Sequence, residues 1–360
     1  MADMAHADGM NYAPEGKPQP VVKPGEFRFS ATGLDHGHIV GMTQGLLDAG
    51  GELVSVYDPD SAKVDAYRQK FSQADAAESL EALLDDGSTH MVISAAVPSD
   101  RGPIGLKVHD AGKHYMSDKA PFTTLEQLED ARRKVAESGR KWAVCYSERV
   151  QNEAAWHAGE LIASGAIGRV LQVIGLGPHR LNAPSRPAWF FQKKYYGGIL
   201  TDIGSHQIEQ FLSFSGARNA TVQYSRIANY AHPDYPELED FGDALLVAEN
   251  GATNYFRVDW FTPDGLGTWG DGRTVVLGTD GYIELRKYID VARDPDGDHV
   301  YLVNGEGEHH IPVHGTVGFP WFGQVILDCL EGTERAMTQE HTFRAAELCM
   351  RAQQQAVRVA

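Results

Sequence analysis

Two side chains four residues apart, Asp202 and His206, are the clearest candidates for chemistry in this sequence. They follow a glycine pair, Gly197-Gly198, and an apolar stretch that predicts a helix to about Phe214. Residues at this spacing lie on one face of a helix. A histidine beside a carboxylate can accept a proton near neutral pH, because the carboxylate orients the ring and stabilises the imidazolium. The pattern also fits an ordinary helix start, in which Asp202 serves the first turn and His206 has no special role.

The pattern of residues 27–58 predicts a strand, a turn, a helix and a second strand. The first strand leads into Gly33, and the second ends at Asp58. In dinucleotide-binding units, a glycine turn follows the first strand and an acidic residue after the second holds the ribose hydroxyls. Asp58 would repel a 2′-phosphate, so the sequence favours NAD as the cofactor over NADP.

The glycine turn departs from the G-x-G-x-x-G pattern. Only Gly33 stands where the pattern has glycine, while Asp35 and His38 occupy the other two positions and Gly37 is displaced by one. A carboxylate would repel a pyrophosphate, so we expect Asp35 to turn outward. His36, His38 and the helix N-terminus would then meet the phosphates. A plain strand, turn and helix without a ligand is the alternative interpretation.

Strands and helices continue to alternate up to Arg149, which predicts a dinucleotide-binding Rossmann domain over residues 27–149. Ligands of such folds bind at the carboxyl ends of the strands. Loops that follow two further predicted strands complete the predicted cofactor site with Ala96, Pro98, Asp118 and Lys119.

The sequence pattern changes after residue 149. Alternating segments are separated by Asn250-Gly251 and Asp280-Gly281, which are strong hairpin signals. They predict an α+β domain over residues 150–360, with an open, mostly antiparallel sheet and helices on one side. Residues 1–26 are rich in proline and are predicted to form an extended or disordered arm. The predicted fold class is therefore α/β, a Rossmann domain followed by this α+β domain.

Four donor or aromatic side chains that precede the candidate helix are predicted to bind the substrate: Arg149, His179, Arg180 and Trp189. They offer donors for hydroxyls or a carboxylate, and an aromatic wall for a sugar ring. Loop packing and surface charge are the alternative interpretation. No metal is predicted, because His232 and His309-His310 lack a metal-ligand spacing.

The composition excludes several classes of partner. A net charge of −17 would repel nucleic acid and anionic membranes. Cys145, Cys329 and Cys349 form no disulfide framework, which favours a reducing compartment. Neither a membrane-spanning apolar run nor a secretory signal is evident, so we expect a cytoplasmic protein that acts on a small molecule.

Several stretches together resemble the Gfo/Idh/MocA family of NAD(P)-dependent oxidoreductases, over nearly the whole chain from about Phe27 to Val357. The stretches are Gly33 to His38, Asp58-Pro59-Asp60, Ala111 to His114, Asp118-Lys119, Gly197 to His206 and Gly278 to Gly281. The resemblance implies a Rossmann domain and a second domain whose open sheet commonly forms the oligomer interface. We therefore expect a homodimer or homotetramer.

In family members that oxidise sugars or cyclitols, a lysine in a Glu-Lys-Pro turn cooperates with an aspartate and a histidine. The resemblance places these roles on Lys119, Asp202 and His206. The turn here is Asp118-Lys119-Ala120-Pro121, with Asp for Glu and one residue inserted before the proline. The implied function is NAD-dependent oxidation of a secondary hydroxyl of a sugar, cyclitol or sugar-derived acid. His206 would take the hydroxyl proton, with Asp202 and Lys119 assisting.

Two other functions are compatible with the same cofactor site. One is an enzyme that keeps NAD tightly bound and uses it transiently, for glycoside cleavage or sugar–sugar oxidoreduction. The other is a non-catalytic NAD-binding sensor. The complete set of Lys119, Asp202 and His206 argues against the sensor, which has no need of proton-transfer residues.

Overall fold

A computed structural model describes residues 19–360 of the protein and divides the chain into two compact units. The first unit comprises residues 19–145 and Gly318–Phe343, and the second comprises Tyr146–Val317 and Arg344–Ala360. The predicted arm lies outside the described residues up to residue 18. Residues 19–26 form no helix or strand, and the Val21 N–H donates to the Ala49 carbonyl at 2.9 Å.

The strands form two sheets. In chain order they are β1 (Arg28–Thr32), β2 (Glu52–Tyr57), β3 (Asp75–Ala76), β4 (Met91–Ser94), β5 (His114–Asp118), β6 (Trp142–Cys145), β7 (Val170–Pro178), β8 (Ala220–Ala228), β9 (Phe241–Ala248), β10 (Thr253–Asp259), β11 (Arg273–Gly278), β12 (Gly281–Arg286), β13 (His299–Asn304), β14 (Gly307–Pro312) and β15 (Val357–Arg358). The first six belong to the first unit, and the others belong to the second.

The helices cover the sheets and connect the strands. In chain order they are α1 (His38–Asp48), α2 (Ser61–Lys70), α3 (Leu80–Asp85), α4 (Pro98–Asp110), α5 (Leu125–Ser138), α6 (Ser147–Val150), α7 (Glu153–Ala163), α8 (Lys193–Tyr196), α9 (Ile199–Asp202), α10 (Gly204–Ser215), α11 (Pro320–Glu331) and α12 (Gln339–Gln355). No helix within residues 19–360 is long and apolar enough to cross a membrane.

The first unit is a parallel sheet with the strand order β3-β2-β1-β4-β5-β6. This is the order of a Rossmann fold, so the predicted fold class of this part is confirmed. Every residue of β4, β5 and β6 is buried, as expected for strands covered on both faces. Helix α4 begins at Pro98, because proline is well tolerated at the first helical position.

The second unit holds a nine-stranded sheet in the order β14-β13-β12-β11-β7-β10-β9-β8-β15. All neighbours are antiparallel except β7 with β10 and β8 with β15, which confirms the predicted, mostly antiparallel sheet. Asn250-Gly251 joins β9 to β10, and Asp280-Gly281 joins β11 to β12. The β13–β14 hairpin is an addition that the sequence pattern did not reveal.

The observed division differs from the predicted domains at two places, and the smaller is residues 146–149, which were predicted to end the Rossmann domain but belong to the second unit. Residues 318–343, predicted to belong to the second domain, group with the Rossmann unit. Phe322 of α11 packs on Gly45 of α1, where an added Cβ would lie 2.3 Å from the Phe322 ring. Apolar contact between segments distant in sequence therefore decides the grouping, and local patterns cannot report it.

A buried carboxylate in the second unit links stability to pH. Asp298 accepts the side-chain N–H of Asn152 at 2.8 Å and the Ala154 N–H at 3.1 Å, at the start of α7. His314 Nδ1 lies 3.2 Å from the other oxygen of Asp298, and this hydrogen bond raises the pKa of His314 from 6.5 to about 9. The pair should therefore stabilise the fold fully below pH 6.5, and this stabilisation should disappear as pH rises through about 9.

We expect His314→Gln to remove this dependence. Because the pair is partly screened by solvent, the difference should not exceed about 1 kcal/mol. Thermal unfolding of both proteins from pH 6 to 9.5 measures this difference in the free energy of unfolding. The greater stability of the wild type should diminish as pH rises. An advantage that is constant over the range would contradict the assignment.

Candidate active site

The glycine turn after β1 is closed against the loop after β4. Gly33 has a φ of +62°, and an added Cβ would lie 2.6 Å from the Ala96 Cβ and 2.7 Å from the Ser94 Oγ. The Ala95 N–H donates to the Gly33 carbonyl at 3.1 Å, and the His36 N–H donates to the Ala95 carbonyl at 2.9 Å. Only glycine fits this position, which is the role of the first glycine in a dinucleotide-binding turn.

Asp35 is paired with a cation. Its Oδ1 lies 2.6 Å from Lys63 Nζ, and its Oδ2 accepts the Val97 N–H at 3.3 Å. Lys63 offsets the charge that would repel a pyrophosphate, and the outward turn expected of Asp35 stays a prediction.

Helix α1 begins at His38 with no acidic residue in its first turn. His36 Nδ1 accepts the His38 N–H at 3.3 Å, and the Ile39 and Val40 N–H groups donate to the carbonyls of His36 and Gly37. The positive end of the helix dipole nevertheless favours a phosphate at this place.

The rings of His36 and His38 lie beside Asp118. Both rings direct Nδ1 at Asp118: His38 is 3.0 Å from Oδ1, and His36 is 3.6 Å from Oδ2. Burial, together with the neighbouring His38, lowers the pKa of His36 well below its ordinary value. These contacts brace the glycine turn against β5, and the phosphate role expected of the two histidines stays a prediction. The sequence could not reveal this partner, which lies 80 residues beyond His38.

Asp118 and Arg101 fix the turn that carries Lys119. Asp118 is fully buried and accepts the Lys119 N–H at 2.8 Å and an Arg101 N–H at 3.0 Å. Arg101 also donates to the carbonyls of Ala96, Lys119 and Ala120. Burial alone would raise the pKa of Asp118, but His38 and Arg101 hold it well below its usual range. Arg101 is a positioning residue that the sequence analysis missed.

The group formed by His36, His38 and Asp118 is also a candidate metal site. Donor atoms of His36, His38 and Asp118 lie within 4.8 Å of one another, a donor set that can suit a transition metal. Arg101, however, already places a positive charge 3.0 Å from the Asp118 carboxylate. We therefore keep the prediction that the site works without a metal.

Asp58 joins the end of β2 to the glycine turn. Its Oδ2 accepts the Leu34 N–H at 2.7 Å, and its Oδ1 accepts the Asp60 N–H at 2.9 Å. Each carboxylate oxygen has a second lone pair, so ribose hydroxyls can still donate to it. Lys63 Nζ lies 3.8 Å from Oδ1. The glycine cradle, the start of α1 and this carboxylate together fit a nicotinamide dinucleotide.

In the second unit, a glycine pair starts the helix that carries Asp202 and His206. Gly197 and Gly198 have φ values of +86° and +98°, and a Cβ on Gly198 would lie 2.3 Å from the Gln353 amide. Glu239 accepts the Ile199 N–H at 2.9 Å, which places a buried carboxylate at the helix start. Negative charge is favourable there because the helix dipole is positive at that end. The positive φ values therefore explain why glycine occupies both positions.

Asp202 and His206 lie one turn apart. Helices α9 and α10 meet at Ile203, whose φ of −76° and ψ of −37° are helical, so the path continues through the junction. Asp202 is 8% exposed and His206 is 2% exposed. The predicted helix is present, with a local tightening in which the His206 N–H donates to the Ile203 carbonyl at 3.1 Å.

The four predicted substrate residues have different surroundings. Arg149 Nε lies 2.7 Å from Glu209 Oε1, and Arg180 donates to the carbonyls of Pro263 and Leu266 at 2.9 and 2.7 Å. Both guanidinium groups thus stabilise the fold, because buried cations require partners. Their contact with a substrate stays a prediction. His179 is 8% exposed, with Trp269 at 4.5 Å and Trp260 at 5.4 Å between ring centres.

Trp189 is half-buried, 5.9 Å from Phe190 between ring centres, so part of its ring remains open for a ligand.

The predicted site residues are distributed over both units. The cofactor residues and Lys119 lie in the first unit, and Asp202, His206 and the predicted substrate residues lie in the second. Glu148 and Lys287, which contact each other beneath His179, were not found from the sequence because their spacing matches no motif.

Two family models match this chain. Residues 31–146 match the oxidoreductase family with an NAD-binding Rossmann fold, and residues 156–284 match the GFO/IDH/MocA C-terminal domain. Among named relatives, the scyllo-inositol 2-dehydrogenase (NAD(+)) of Bacillus subtilis (strain 168) is 28% identical over 264 residues, covering 72% of this chain and 71% of that protein.

Solved structures share the fold. A crystal structure of a protein from Erwinia carotovora atroseptica SCRI1043 is 51% identical, with a TM-score of 0.90, over 93% of this chain and 100% of that one. Levoglucosan dehydrogenase in complex with NADH and levoglucosan has a TM-score of 0.72 at 18% identity, over 90% of this chain and 95% of that one. At that identity the likeness concerns the fold alone.

Proposed function

Because the chain belongs to the Gfo/Idh/MocA family of oxidoreductases, which act on sugar-like CH–OH groups with NAD(P), we propose that it is an NAD-dependent dehydrogenase. Its substrate is a secondary alcohol of a sugar, cyclitol or sugar-derived acid. The observation that carries the proposal is the Asp202–His206 pair, one turn apart on a buried helix, in a chain that also has a dinucleotide-binding sheet. The named relative that acts on scyllo-inositol supports this substrate class.

The proposed roles follow from charge. The bound nicotinamide supplies the hydride acceptor. His206 takes the hydroxyl proton, and Asp202 stabilises the imidazolium that forms. The Lys119 ammonium donates a hydrogen bond to the substrate oxygen and favours its alkoxide form. Arg101 and Asp118 hold the backbone on either side of Lys119, so this lysine needs little rearrangement.

A thermal-shift screen tests binding before any activity is known. Ligands that bind the native state raise the apparent melting temperature. We expect NAD to raise it, and one group among inositols, aldoses and aldonic acids to raise it further when NAD is present. An increase in absorbance at 340 nm with the same compound would then establish oxidation. Stabilisation by none of these compounds would contradict the proposed substrate class.

Cofactor choice should depend on Asp58. We expect NAD to be preferred over NADP, and Asp58→Ser to reduce that preference by about tenfold or more, because a carboxylate repels a 2′-phosphate. Measuring kcat/KM with both cofactors checks this. Lys63→Met is the control: Lys63 is the cation beside Asp58, so its loss should not weaken the preference for NAD. Wild type preferring NADP, or an unchanged ratio in Asp58→Ser, would show that Asp58 has another role.

The open face of the large sheet supports a proposed homo-oligomer. Directly paired residues lie on one face, and one row across five strands is Glu284, Val275, Ile174, Tyr255 and Leu245. None of the five is buried, and four are apolar or aromatic. Leu277 and Tyr282, paired in the next row, are 44% and 42% exposed. Monomers rarely expose a contiguous apolar face of this kind.

We therefore expect light scattering to give a dimer or tetramer of the 39.4 kDa chain at micromolar concentration. Ile174→Glu, at the centre of the row, should shift the protein towards monomer because the new charge would be buried without a partner. A wild-type mass close to 39.4 kDa would rule out this assembly.

A further inference from the structure

A buried polar cluster lies beneath the helix that carries His206. We call it the Glu148 cluster; its members are Glu148, His179, Gln207, Gln210 and Lys287. Glu148 Oε2 lies 3.1 Å from Lys287 Nζ and accepts a Gln207 amide N–H at 3.0 Å. Lys287 Nζ also donates to Gln210 Oε1 at 2.6 Å. Glu148 and Lys287 are 3% and 1% exposed, so water contributes little to this arrangement.

The cluster is joined to the candidate proton acceptor through the backbone. The Gln210 amide donates to the His206 carbonyl at 2.9 Å, and Gln207 follows His206 directly in α10. Gln207 lies close against β7, where a Cβ on Gly175 would be 2.1 Å from its Oε1. Hydrogen bonds therefore connect Glu148 to the turn of α10 that carries His206.

The cluster also holds a second histidine. His179 Nδ1 lies 3.1 Å from the Gly177 carbonyl oxygen, so Nδ1 donates this hydrogen bond and Nε2 lies on the opposite side of the ring. The opposite nitrogen, Nε2, lies 3.8 Å from Glu148 Oε1. The other faces of the ring meet Trp260 and Trp269, which do not titrate. Glu148 is thus an ionisable group that faces His179, and Lys287 is the cation paired with it.

Stability alone does not account for such a pair. Removing two charges from water costs free energy that their attraction often fails to recover, so a buried ion pair can be replaced by apolar side chains without loss. Burial lowers the pKa of Lys287, and the adjacent Glu148 opposes that change. The negative charge of Glu148 therefore favours the charged form of Lys287 and, at the same time, the protonated form of His179.

We propose that Glu148 is a positioning residue for proton transfer: it fixes the orientation and basicity of His179 and, through Gln207, Lys287 and Gln210, the placement of His206. The kinetic part of this proposal rests on the proposed dehydrogenase function. His179 belongs to the predicted substrate site, so the Glu148 cluster would determine the charge of the His179 ring beside a bound substrate hydroxyl.

Glu148→Gln tests the proposal without any substrate. The change keeps the shape of the side chain but leaves the Lys287 charge without its counter-ion. In the full-length protein labelled at histidine nitrogens, NMR follows each ring during a pH titration, and His179→Gln identifies the His179 signal. We expect His179 to titrate about one pH unit lower in Glu148→Gln than in wild type.

Glu209→Gln is the matched control. Glu209 is fully buried on α10, the helix that carries His206, and its carboxylate pairs with Arg149 and accepts the Ser213 hydroxyl. Both variants lose a buried ion pair and should be destabilised. Only Glu148→Gln should move the His179 titration; an equal movement in both, or none in Glu148→Gln, would overturn the proposal.

Kinetics supply an independent outcome, with scyllo-inositol as the first probe. In Glu148→Gln the ionisation seen in kcat should shift to lower pH by about half to one pH unit, and the plateau should fall about tenfold while KM changes less than about threefold. If Glu148→Gln does not fold, Gln207→Met keeps both charges and should still lower kcat about threefold or more. A shifted His179 titration without turnover of any polyol would reject the dehydrogenase function but retain the positioning role.

Discussion

His206→Ala is expected to lower turnover by about 10²-fold or more and to leave NAD binding close to wild type. The variant removes the group that takes the hydroxyl proton, and general base assistance is worth about 10² to 10⁴ in rate. The residues assigned to the cofactor, such as Gly33 and Asp58, lie in the other unit and are unchanged. Steady-state kinetics, together with NAD titration by calorimetry, separates the two effects.

Companion variants distinguish catalysis from damage to the helix. Asp202→Asn should also lose mainly turnover, and the double variant should be little worse than His206→Ala, because the two residues act as a unit. Wild-type activity should rise with pH through one ionisation and then level off. His309→Ala, at an exposed position on β14, is the histidine control and should be unaffected. Additive losses, or near-normal turnover in His206→Ala, would show that the segment with Asp202 and His206 is an ordinary helix start without a catalytic role.

Lys119→Met is expected to lower turnover by about 10²-fold, comparable to the loss of one donor to a developing oxyanion. Methionine keeps the length and apolar body of the lysine side chain while it removes the ammonium. The turn itself should persist, because Arg101 and Asp118 hold it through the main chain around position 119. The melting temperature should therefore remain within a few degrees of wild type.

Lys107→Met supplies the matched control for this prediction. Lys107 is exposed on α4, in the same unit, and touches none of the residues assigned to the site. Both variants lose one positive charge, so a general electrostatic effect on the acidic surface would appear in both. Equal activity of Lys119→Met and Lys107→Met would mean that Lys119 does not meet the reacting oxygen.

Local patterns were sufficient for the elements of this fold. The run of apolar residues in β4 and the hairpin signal Asn250-Gly251 each depend on neighbours in sequence, and both occur where they were predicted. The glycines at 197 and 198 were recognised for the same reason. The β13–β14 hairpin lacked such a signal and was missed.

Local sequence patterns do not identify contact partners that are distant in sequence. The sequence shows that Arg149 is a cation, but not that Glu209 is the group it meets. The residue types at His36 and His38 favoured phosphate contact, yet both rings turn to Asp118, which only the fold brings near them. Arg101 and Glu148 were missed for the same reason, since their importance depends on what surrounds them after folding.

The number of NADH molecules formed per protein chain tests the central claim most directly. Wild type is mixed with excess NAD and with the polyol that stabilises it most in the thermal-shift screen, and absorbance at 340 nm is followed to completion. A dehydrogenase that releases its cofactor should form many equivalents of NADH, and His206→Ala should form them about 10²-fold more slowly. NADH that stops at or below one equivalent, while the polyol is still converted, would contradict the account and favour an enzyme that uses a bound cofactor transiently.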